Sequence, residues 1–352
     1  MKILGVMSGS SLDGLDIALC TFQQDNKGKL TYSIEASQTY PFPSSLKSQL
    51  EKLKFLSAEN FVKLDTDFGI FIGNMINKFL KGNNLSLPDL IASHGHTTFH
   101  NPQYGYSKQI GNGDHITAIT DIPSITNFRS MDVALGGEGA PLVPIGDQIL
   151  FIEYDFCLNL GGYGNISFEE KGKRKAFDIC PVNKALNYVA SWEGLNMDED
   201  GKIGSTGKII PSLYEQLNRL EFYSRKGPKS LADSWLNEKF IPIIDQYKKK
   251  SISDVLSTLY EHIAFQVHQI TKEYPKGKIF ITGGGAFNNC LIEKIQNSTL
   301  HNVHIPSEEI IEFKESLIFA SLGFLKVKGE VNCLASVTGA RKNSIGGTLH
   351  EI

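Results

Sequence analysis

The sequence predicts an α/β fold built from two similar halves with a cleft between them. Two observations carry this prediction. Strand-like runs separated by polar or glycine-rich turns open the chain in residues 1–40, and the same layout begins again near residue 151. Segments with apolar residues at helical spacing follow each set of strands. Because 352 residues are long for one hydrophobic core and sufficient for two, we interpret the repeated layout as an ancient duplication.

The first half begins with three predicted strands, KILGV, DIALCTF and LTYSIEAS, after which the segment PFPSS interrupts the strand pattern. Two predicted helices follow, LKSQLEKLKFL and AENFVKLDTDFGIFIGNMINKFLK. The segment LPDLIASHG (87–95) is typical of a buried strand that ends in a polar, glycine-containing loop.

The second half repeats the strand–turn–strand layout with FCLNL, NISFEE and KAFDI, which are joined by the turns GGYG and KGKRK. The predicted helices NKALNYVASWEGL and ISDVLSTLYEHIAFQVHQITKEY come next. The strand KIFIT then leads through GGG into the helix NNCLIEKIQN, an arrangement that brings backbone close to a nucleotide. The tail IIEFKESLIFASLGFLKV predicts one amphipathic helix.

The composition is that of a soluble globular protein, with 41% hydrophobic residues, 21% charged residues and a formal net charge of −3. Duplex-binding proteins need a clustered basic face, so we expect no nucleic-acid partner. The short basic run KGKRK (171–175) is interpreted as a solvated turn. No apolar run approaches the roughly 18 residues that span a membrane, so no membrane association is expected.

The cysteines and the N-terminus predict a cytoplasmic protein. The early polar residues Ser8, Ser10 and Asp13 interrupt the layout of a secretory signal. The cysteines are odd in number, occur singly and form no CxxC motif, so structural disulfides are not expected. They are Cys20, Cys157, Cys180, Cys290 and Cys333.

The loop MSGSSLDGLD (7–16) has the composition of an anion-binding hairpin. Gly9 and Gly14 allow close approach to the main chain, and Ser10 and Ser11 add hydroxyl donors. Asp13 and Asp16 would repel phosphate unless a cation lies between, and Mg²⁺ held through water resolves this conflict. A solvated hairpin capped by the aspartates is the alternative for this loop.

Two further glycine-rich turns, GGYGNIS (161–167) and GGGAFNN (283–289), favour a nucleotide site. One such turn is more often structural than functional. Three turns, each next to a predicted buried strand, predict a nucleotide held from two sides. The chain contains no GxxxxGK[ST] sequence, so the site is not a Walker loop.

The chain resembles the anhydro-N-acetylmuramic acid kinase family, a branch of the sugar kinase–Hsp70–actin superfamily, in segments that span nearly its whole length. These segments are GVMSGSSLDGLDIAL, SHGHTTFHNP, QIGNGDHI, FRSMDVALGGEGAPLVP, NLGGYGNIS, GPKSL, ITGGGAFN and SVTGAR. The resemblance implies a two-domain, actin-like fold, that is, a duplicated ribonuclease H-like fold with mixed central sheets and an interdomain cleft. On this fold we expect domain I to comprise residues 1–128 and about 315–352, and domain II to comprise residues 129–314.

The activity that the resemblance implies is an ATP-dependent sugar kinase of peptidoglycan recycling. Such an enzyme uses water to open 1,6-anhydro-N-acetylmuramic acid and phosphorylates O6, which gives N-acetylmuramic acid 6-phosphate. The implied cofactors are ATP and Mg²⁺, the implied partner is the small sugar, and the implied assembly is a homodimer.

The resemblance also implies roles for individual residues. Asp178, in a segment that matches the family's FDTGPxN motif, is the implied catalytic base, and Asp13 and Asp16 are the implied ligands of Mg²⁺ through water. The implied sugar contacts are Thr97, His100, Arg129, Asp132 and Glu315, with the Arg129 guanidinium suited to the lactyl carboxylate. The implied nucleotide-binding residues are Gly9, Ser10, Ser11, Leu12, Asp13, Gly14, Leu15, Asp16, Gly161, Gly162, Asn165, Gly283, Gly284 and Gly285.

Several alternatives stay open at this point. Asp178 could cap the helix NKALNYV instead of acting as a base, and Glu315 could be a surface residue of its helix. The spacing HxHxxxH of His94, His96 and His100 allows a transition metal if residues 96–100 are helical. For the whole protein, the alternatives are a divergent homologue that acts on a related anhydro or amino sugar, an actin- or Hsp70-like ATPase without sugar kinase activity, and a silent homologue.

The chain departs from the family pattern next to the predicted base. The motif FDTGPxN reads FDICPVN, so Ile179, Cys180 and Val182 replace smaller residues, and we expect these side chains to narrow the pocket or shift the attacking water. Other departures are Asn127, Asn187 and His96, the last of which changes GQT to GHT. Since Asp178, Pro181 and Asn183 are retained, we interpret the chain as a divergent but active member.

Overall fold

The structure is a computed structural model that describes residues 1–9, 12–26, 28–225 and 227–352. The chain divides into two compact units, Met1–Phe151 together with Phe313–Ile352, and Ile152–Glu312. The predicted boundary after residue 128 is therefore too early, because residues 129–151 pack in the first unit. There a buried ion pair of 2.8 Å joins Asp147 to Lys314. The chain returns to the first unit at residue 313, where the expected position was about 315.

The first unit opens with three strands, after which groups of helices and strands alternate. The strands are β1 (Lys2–Ser8), β2 (Leu15–Gln24), β3 (Leu30–Tyr40), β4 (Leu90–Ser93), β5 (His96–Asn101), β6 (Tyr106–Ile110) and β7 (Ser124–Thr126). The helices are α1 (Ser44–Glu51), α2 (Ala58–Gly82), α3 (Gly113–Thr120), α4 (Ser130–Ala134) and α5 (Val143–Leu150).

The second unit has its own opening set of three strands, followed by helices and a strand–helix–strand segment. The strands are β8 (Phe156–Leu160), β9 (Tyr163–Glu170), β10 (Lys173–Pro181), β11 (Lys278–Thr282) and β12 (Asn302–His304). The helices are α6 (Asn183–Ala190), α7 (Pro211–Asn218), α8 (Glu221–Ser224), α9 (Asp233–Trp235), α10 (Ile241–Asp245), α11 (Ile252–Thr271) and α12 (Asn289–Ser298). Helix α13 (Glu308–Lys328) begins in the second unit and continues into the first, which α14 (Ala335–Thr338) and β13 (Thr348–His350) complete.

The main sheets of the two units share an order of five strands, to which the first sheet adds β13 at one edge. The first is β13-β7-β4-β1-β2-β3 and the second is β10-β9-β8-β11-β12. In each sheet the opening three strands pair in an antiparallel manner. The first of the three also has a parallel neighbour, which is β4 for β1 and β11 for β8. A second parallel pairing extends both sheets, β4 with β7 and β11 with β12. The predicted duplicated α/β fold with mixed sheets is thereby confirmed.

Helix α13 lies directly against β1 because Gly5 has no side chain. A Cβ at Gly5 would lie 1.9 Å from the backbone oxygen of Ser316, so any other residue would push the helix away. Farther along the helix, a Cβ at Gly323 would lie 2.8 Å from the Cβ of Ala92 on β4. The Ser316 hydroxyl donates to the Asp16 carbonyl over 3.2 Å. These contacts place Glu315, the preceding residue, beside the carboxyl end of β1.

The predicted turn KGKRK is shorter than the sequence suggested. Lys171 and Gly172 form the turn, and β10 already begins at Lys173. Arg174 is buried, and its Nη2 donates to the Ser167 hydroxyl over 2.8 Å. The expectation of a fully solvated basic run is wrong, because strand alternation turns this arginine inward. Within the described ranges, none of the helices has the length and apolar character needed to cross a membrane.

Candidate active site

Asp178 lies in β10 at a β-bulge, where the pairing with β9 shifts between Asp178 and Cys180. The segment of residues 229–231 passes beside Asp178 and holds it through two hydrogen bonds. The Asp178 N–H donates to the Lys229 carbonyl over 2.9 Å, and the Leu231 N–H donates to Asp178 Oδ2 over 2.7 Å. Burial raises the pKa of the Asp178 carboxyl, and the Leu231 hydrogen bond lowers that pKa in part. A half-buried carboxylate with a raised pKa suits a general base.

The alternative role of Asp178 as a helix cap is wrong. Helix α6 begins after Val182, and its cap position has no side-chain hydrogen bond from the described part of the chain. Strand β10 also continues past Asp178 to Pro181. The Asp178 carboxylate therefore accepts a hydrogen bond from the segment of residues 229–231 and does not cap α6.

The substituted residues of FDICPVN do not narrow a pocket, contrary to expectation. Ile179, Cys180 and Val182 are buried and belong to the hydrophobic core of the second unit. Two of them pack at Gly164, where an added Cβ would lie 3.0 Å from Val182 Cγ2 and 3.2 Å from Ile179 Cγ1. The larger side chains therefore fill the core behind β10, and the missing side chain of Gly164 makes room for them.

The turn Gly161–Gly162 is fastened to the start of α6. The Asn183 N–H donates to the Gly161 carbonyl over 3.1 Å, and the Val182 and Lys184 N–H groups donate to the Gly162 carbonyl over 3.0 and 3.3 Å. Helix α6 thus satisfies its first N–H groups with the carbonyls of this turn. The turn has a fixed position relative to β10 and Asp178.

The turn Gly283–Gly285 meets the first one at the carboxyl ends of the neighbouring parallel strands β8 and β11. Gly283 has a φ of +83°, and a Cβ there would lie 2.6 Å from Asn159 Oδ1. A Cβ at Gly285 would lie 2.7 Å from the Cβ of Leu160. The edge at the carboxyl ends of parallel strands is where α/β folds bind ligands. The structure therefore brings together predicted residues of the second unit: Gly161, Gly162, Asn165, Asp178, Gly283, Gly284 and Gly285.

In the first unit, the predicted loop joins β1 to β2. A Cβ at Gly14 would lie 2.6 Å from the Tyr40 carbonyl oxygen, so β3 packs closely on this loop. Leu12 has a φ of +58°, Asp13 is exposed, and Leu15 is buried in β2. Asp16 Oδ1 accepts from the Thr39 hydroxyl over 2.6 Å. Gly9 ends the segment that precedes Ser10 and Ser11, and these two predicted residues lie outside the described residues.

Arg129 is held by a histidine that follows β4. Arg129 Nε and Nη2 donate to His94 Nε2 over 3.0 and 2.8 Å, and Nη1 donates to the Gly139 carbonyl over 2.7 Å. Burial, and then the Arg129 charge, lower the pKa of His94 well below its usual value, so its Nε2 stays an acceptor. His94 also lines a cavity of about 250 Å³ in this unit, together with Asn127 and Ser130.

Asp132 does not face a ligand, so the expected sugar contact is wrong. Its exposed fraction is 0%, and Oδ2 accepts from the Gly139 N–H over 2.8 Å. Oδ1 accepts from the Thr338 hydroxyl over 2.7 Å and from Cys333 Sγ over 3.1 Å. Asp132 instead fixes the loop whose Gly139 carbonyl receives Arg129.

Glu315 and Arg129 influence each other electrostatically. The Glu315 side chain is exposed, yet the protein around it removes enough water to raise its pKa. The Lys314 and Arg129 charges lower this pKa, and Asp16 raises it. Burial lowers the pKa of Arg129, and Glu315 opposes this effect. Glu315 is therefore coupled to predicted site residues, which an ordinary surface glutamate is not.

Residues 96–101 form strand β5, so the helix that a metal site would require does not exist. Each histidine has another neighbour: His94 bonds Arg129, His96 Nδ1 lies 3.0 Å from the Ser8 hydroxyl, and His100 Nδ1 lies 3.1 Å from the Ser107 hydroxyl. Among the residues that the structure describes, no group of three His, Cys, Asp or Glu is placed to hold a metal.

The two remaining predicted sugar contacts lie on the β5–β6 hairpin. Thr97 Oγ1 accepts from Gln109 Nε2 over 3.3 Å. Burial, and then the Arg129 charge, lower the pKa of His100, whereas Glu138 raises it. His100 is therefore within electrostatic reach of Arg129.

The sequence missed the residues that position these groups. The role of His94 could have been suspected from its place at the end of a buried strand, and the segment GPKSL was noted without a role for Leu231. Lys184, which follows the retained Asn183, carried no signal that separates it from other exposed lysines.

The similarity to known proteins extends over nearly the whole chain. The family model described as anhydro-N-acetylmuramic acid kinase matches residues 1–351. The chain is 33% identical to the anhydro-N-acetylmuramic acid kinase of Francisella tularensis subsp. novicida (strain U112), over 99% of this chain and 98% of that protein. It is 31% identical to the protein of the same description from Pseudomonas syringae pv. tomato, over 99% and 98%. Among solved structures, it is similar to the activator of the 2-hydroxyisocaproyl-CoA dehydratase from Clostridium difficile with bound ADPNP, with a TM-score of 0.46 and 13% identity, over 94% of this chain and 96% of that one.

Proposed function

This chain belongs to the anhydro-N-acetylmuramic acid kinase family, and from this membership we propose that it opens 1,6-anhydro-N-acetylmuramic acid with water and phosphorylates O6 with ATP. The product is N-acetylmuramic acid 6-phosphate. The single observation that carries the proposal is Asp178, a half-buried carboxylate that the Leu231 N–H holds in place and whose pKa is raised by burial.

Asp178 acts as the general base. Water that attacks the anomeric carbon must lose a proton, and a carboxylate with a raised pKa accepts it more readily than an ordinary surface aspartate. The Leu231 N–H occupies Oδ2, which leaves Oδ1 as the oxygen that we assign to the water. The same hydrogen bond keeps the carboxylate from rotating.

We place the nucleotide at the glycine turns of the second unit. Gly283 and Gly285 let their turn pack directly on Asn159 and Leu160 at the end of β8, because an added Cβ would collide with these residues. The turn therefore lies at the edge where α/β folds bind ligands. Bound ATP would supply the phosphoryl group that O6 receives as it leaves the anomeric carbon. In the first unit, the carboxylates of Asp13, which is exposed, and Asp16 offer oxygen atoms that would hold Mg²⁺ through its bound water molecules.

Arg129 binds the lactyl carboxylate of the sugar. A guanidinium has five N–H groups, and the hydrogen bonds to His94 and Gly139 use three of them. The other two can form a bidentate contact with a carboxylate. Glu315, Thr97 and His100 are the further sugar contacts that we propose in this unit. A homodimer and a cytoplasmic location stay predictions.

The function is tested by incubating the protein with ATP, Mg²⁺ and 1,6-anhydro-N-acetylmuramic acid in ¹⁸O-labelled water. We expect ADP and a sugar 6-phosphate with the label at C1, identified by mass spectrometry. ATP consumption without a sugar product would instead support an ATPase. If neither turnover nor sugar-dependent thermal stabilisation occurs, the proposed substrate is wrong.

A further inference from the structure

Lys184 lies across the glycine turn of the second unit. Its backbone N–H donates to the Gly162 carbonyl, and its stem follows the face of Gly162. A Cβ at Gly162 would lie 3.2 Å from Lys184 Cγ and 3.3 Å from Lys184 Cε. The lysine stem therefore covers the side of the turn on which glycine leaves space.

The ammonium group of Lys184 pairs with Asp233, the first residue of α9. It also lies over the Tyr163 ring, 4.9 Å from the ring centre. The Tyr163 hydroxyl donates to Asp233 Oδ1 over 2.7 Å. The Lys184 hydrogen bond, followed by that of Tyr163, lowers the pKa of Asp233, so this carboxylate is charged at neutral pH.

The ion pair is open to solvent. The side chains of Lys184 and Asp233 are 41% and 66% exposed, and exposed ion pairs contribute little to stability. If Lys184 leaves, Asp233 keeps the hydroxyl hydrogen bond of Tyr163 and stays accessible to water. Loss of the pair therefore leaves no buried charge without a partner, and the lysine can change partners at small cost.

We propose that Lys184 binds the phosphate groups of the nucleotide at the turn Gly161–Gly162, and that Asp233 is the resting partner which those phosphates displace. This inference rests on the proposed function, since it assigns a further residue to the same nucleotide site. A triphosphate carries more negative charge than one carboxylate, so it wins the exchange. An ammonium group on a flexible stem suits a contact that must be re-made with each nucleotide.

The test measures ATP affinity by isothermal titration calorimetry for the wild type, Lys184→Met, Asp233→Asn and the double variant. Lys276→Met is the matched control, because Lys276 is an exposed lysine of the same unit that precedes β11, at the end opposite the glycine turn. We expect Lys184→Met to weaken ATP binding about tenfold, the usual effect of losing one charge-assisted hydrogen bond. Lys276→Met leaves the affinity unchanged.

Asp233→Asn should tighten ATP binding about two- to fivefold, the range of an exposed ion pair, because the competitor is neutralised. This gain should vanish in the double variant, where no lysine remains to be released. Equal affinities of Lys184→Met and Lys276→Met would overturn the proposal, as would a gain that persists in the double variant. A wild type that binds ATP but forms no sugar phosphate refutes the proposed function alone, and one that binds no ATP refutes both.

Discussion

The first hairpins of the two sheets occupy the same place in the strand order but have charged side chains of opposite sign beside them. The hairpin between β1 and β2 is long, comprises residues 9–14 with Asp13, and is followed by Asp16 on β2. The hairpin between β8 and β9 consists of Gly161 and Gly162 and is covered by the Lys184 side chain. One duplicated framework has thus acquired an acidic loop suited to a cation and a short turn suited to an anion. Substitutions in each unit can test this division of roles.

The largest effect is expected in the second unit, from Asp178→Asn. Removing a general base costs about 10²–10⁴-fold in kcat, whereas the glycine turns that hold the nucleotide are untouched. Kinetics of sugar phosphate formation, combined with calorimetric ATP binding, would show a low kcat and a near-normal ATP affinity. Glu169→Gln, which changes an exposed carboxylate on the adjacent strand β9, is the control and should keep full activity. An unchanged kcat in Asp178→Asn would show that the general base is another residue, in either unit.

In the first unit, Arg129→Lys should act on the sugar and not on the nucleotide. Lysine keeps the charge but not the planar fork, so kcat/KM for the muramic substrate should fall about 10–100-fold. The matched comparison is 1,6-anhydro-N-acetylglucosamine, which lacks the lactyl carboxylate and should react similarly with wild type and variant. If the variant loses both substrates equally, Arg129 has a structural role through His94 and Gly139.

Leu231→Pro sharpens the assignment of Asp178 through the pH profile. The hydrogen bond from Leu231 N–H favours the charged carboxylate, so its loss raises the pKa of Asp178 further. Because the base must be deprotonated, kcat/KM rises with pH through this pKa, and the acid limb of the profile should move to higher pH. Leu231→Ala keeps the N–H and is the control, with an unshifted limb. A limb that stays in place in both variants would show that this amide does not tune the base.

The smallest effects separate the two hairpins by stability. The Cβ of Gly14→Ala meets the Tyr40 backbone oxygen, which cannot move easily, so unfolding free energy should fall by about 1–3 kcal/mol. The Cβ of Gly162→Ala meets the flexible Lys184 side chain, and the loss should stay below about 1 kcal/mol. Urea unfolding of both variants measures the difference. Equal losses would mean that both turns are packed equally tightly and that Lys184 does not yield to the added methyl group.

The sequence predicted the elements of this fold better than the contacts between them. Strand and glycine-turn patterns are local, and they placed the opening hairpins and KIFIT–GGG correctly. The partners of the key side chains are far away in the chain: His94 and Arg129 are 35 residues apart, and Asp178 and Leu231 are 53 apart. No periodicity reports such pairs. The burial of Asp132 was equally hidden, because its partners Cys333 and Thr338 arrive with the last segment of the chain.

The return of the chain to its first unit has a consequence for the order of folding during synthesis. Residues 152–312 form the second unit without help from later sequence, whereas β1 receives its covering helix α13 only after residue 328 has been made. During synthesis, the second unit therefore emerges from the ribosome nearly complete while the first unit still exposes the apolar strand face around Gly5. Domains usually fold in the order in which they are synthesised. Here the inserted unit can mature before the one that begins the chain.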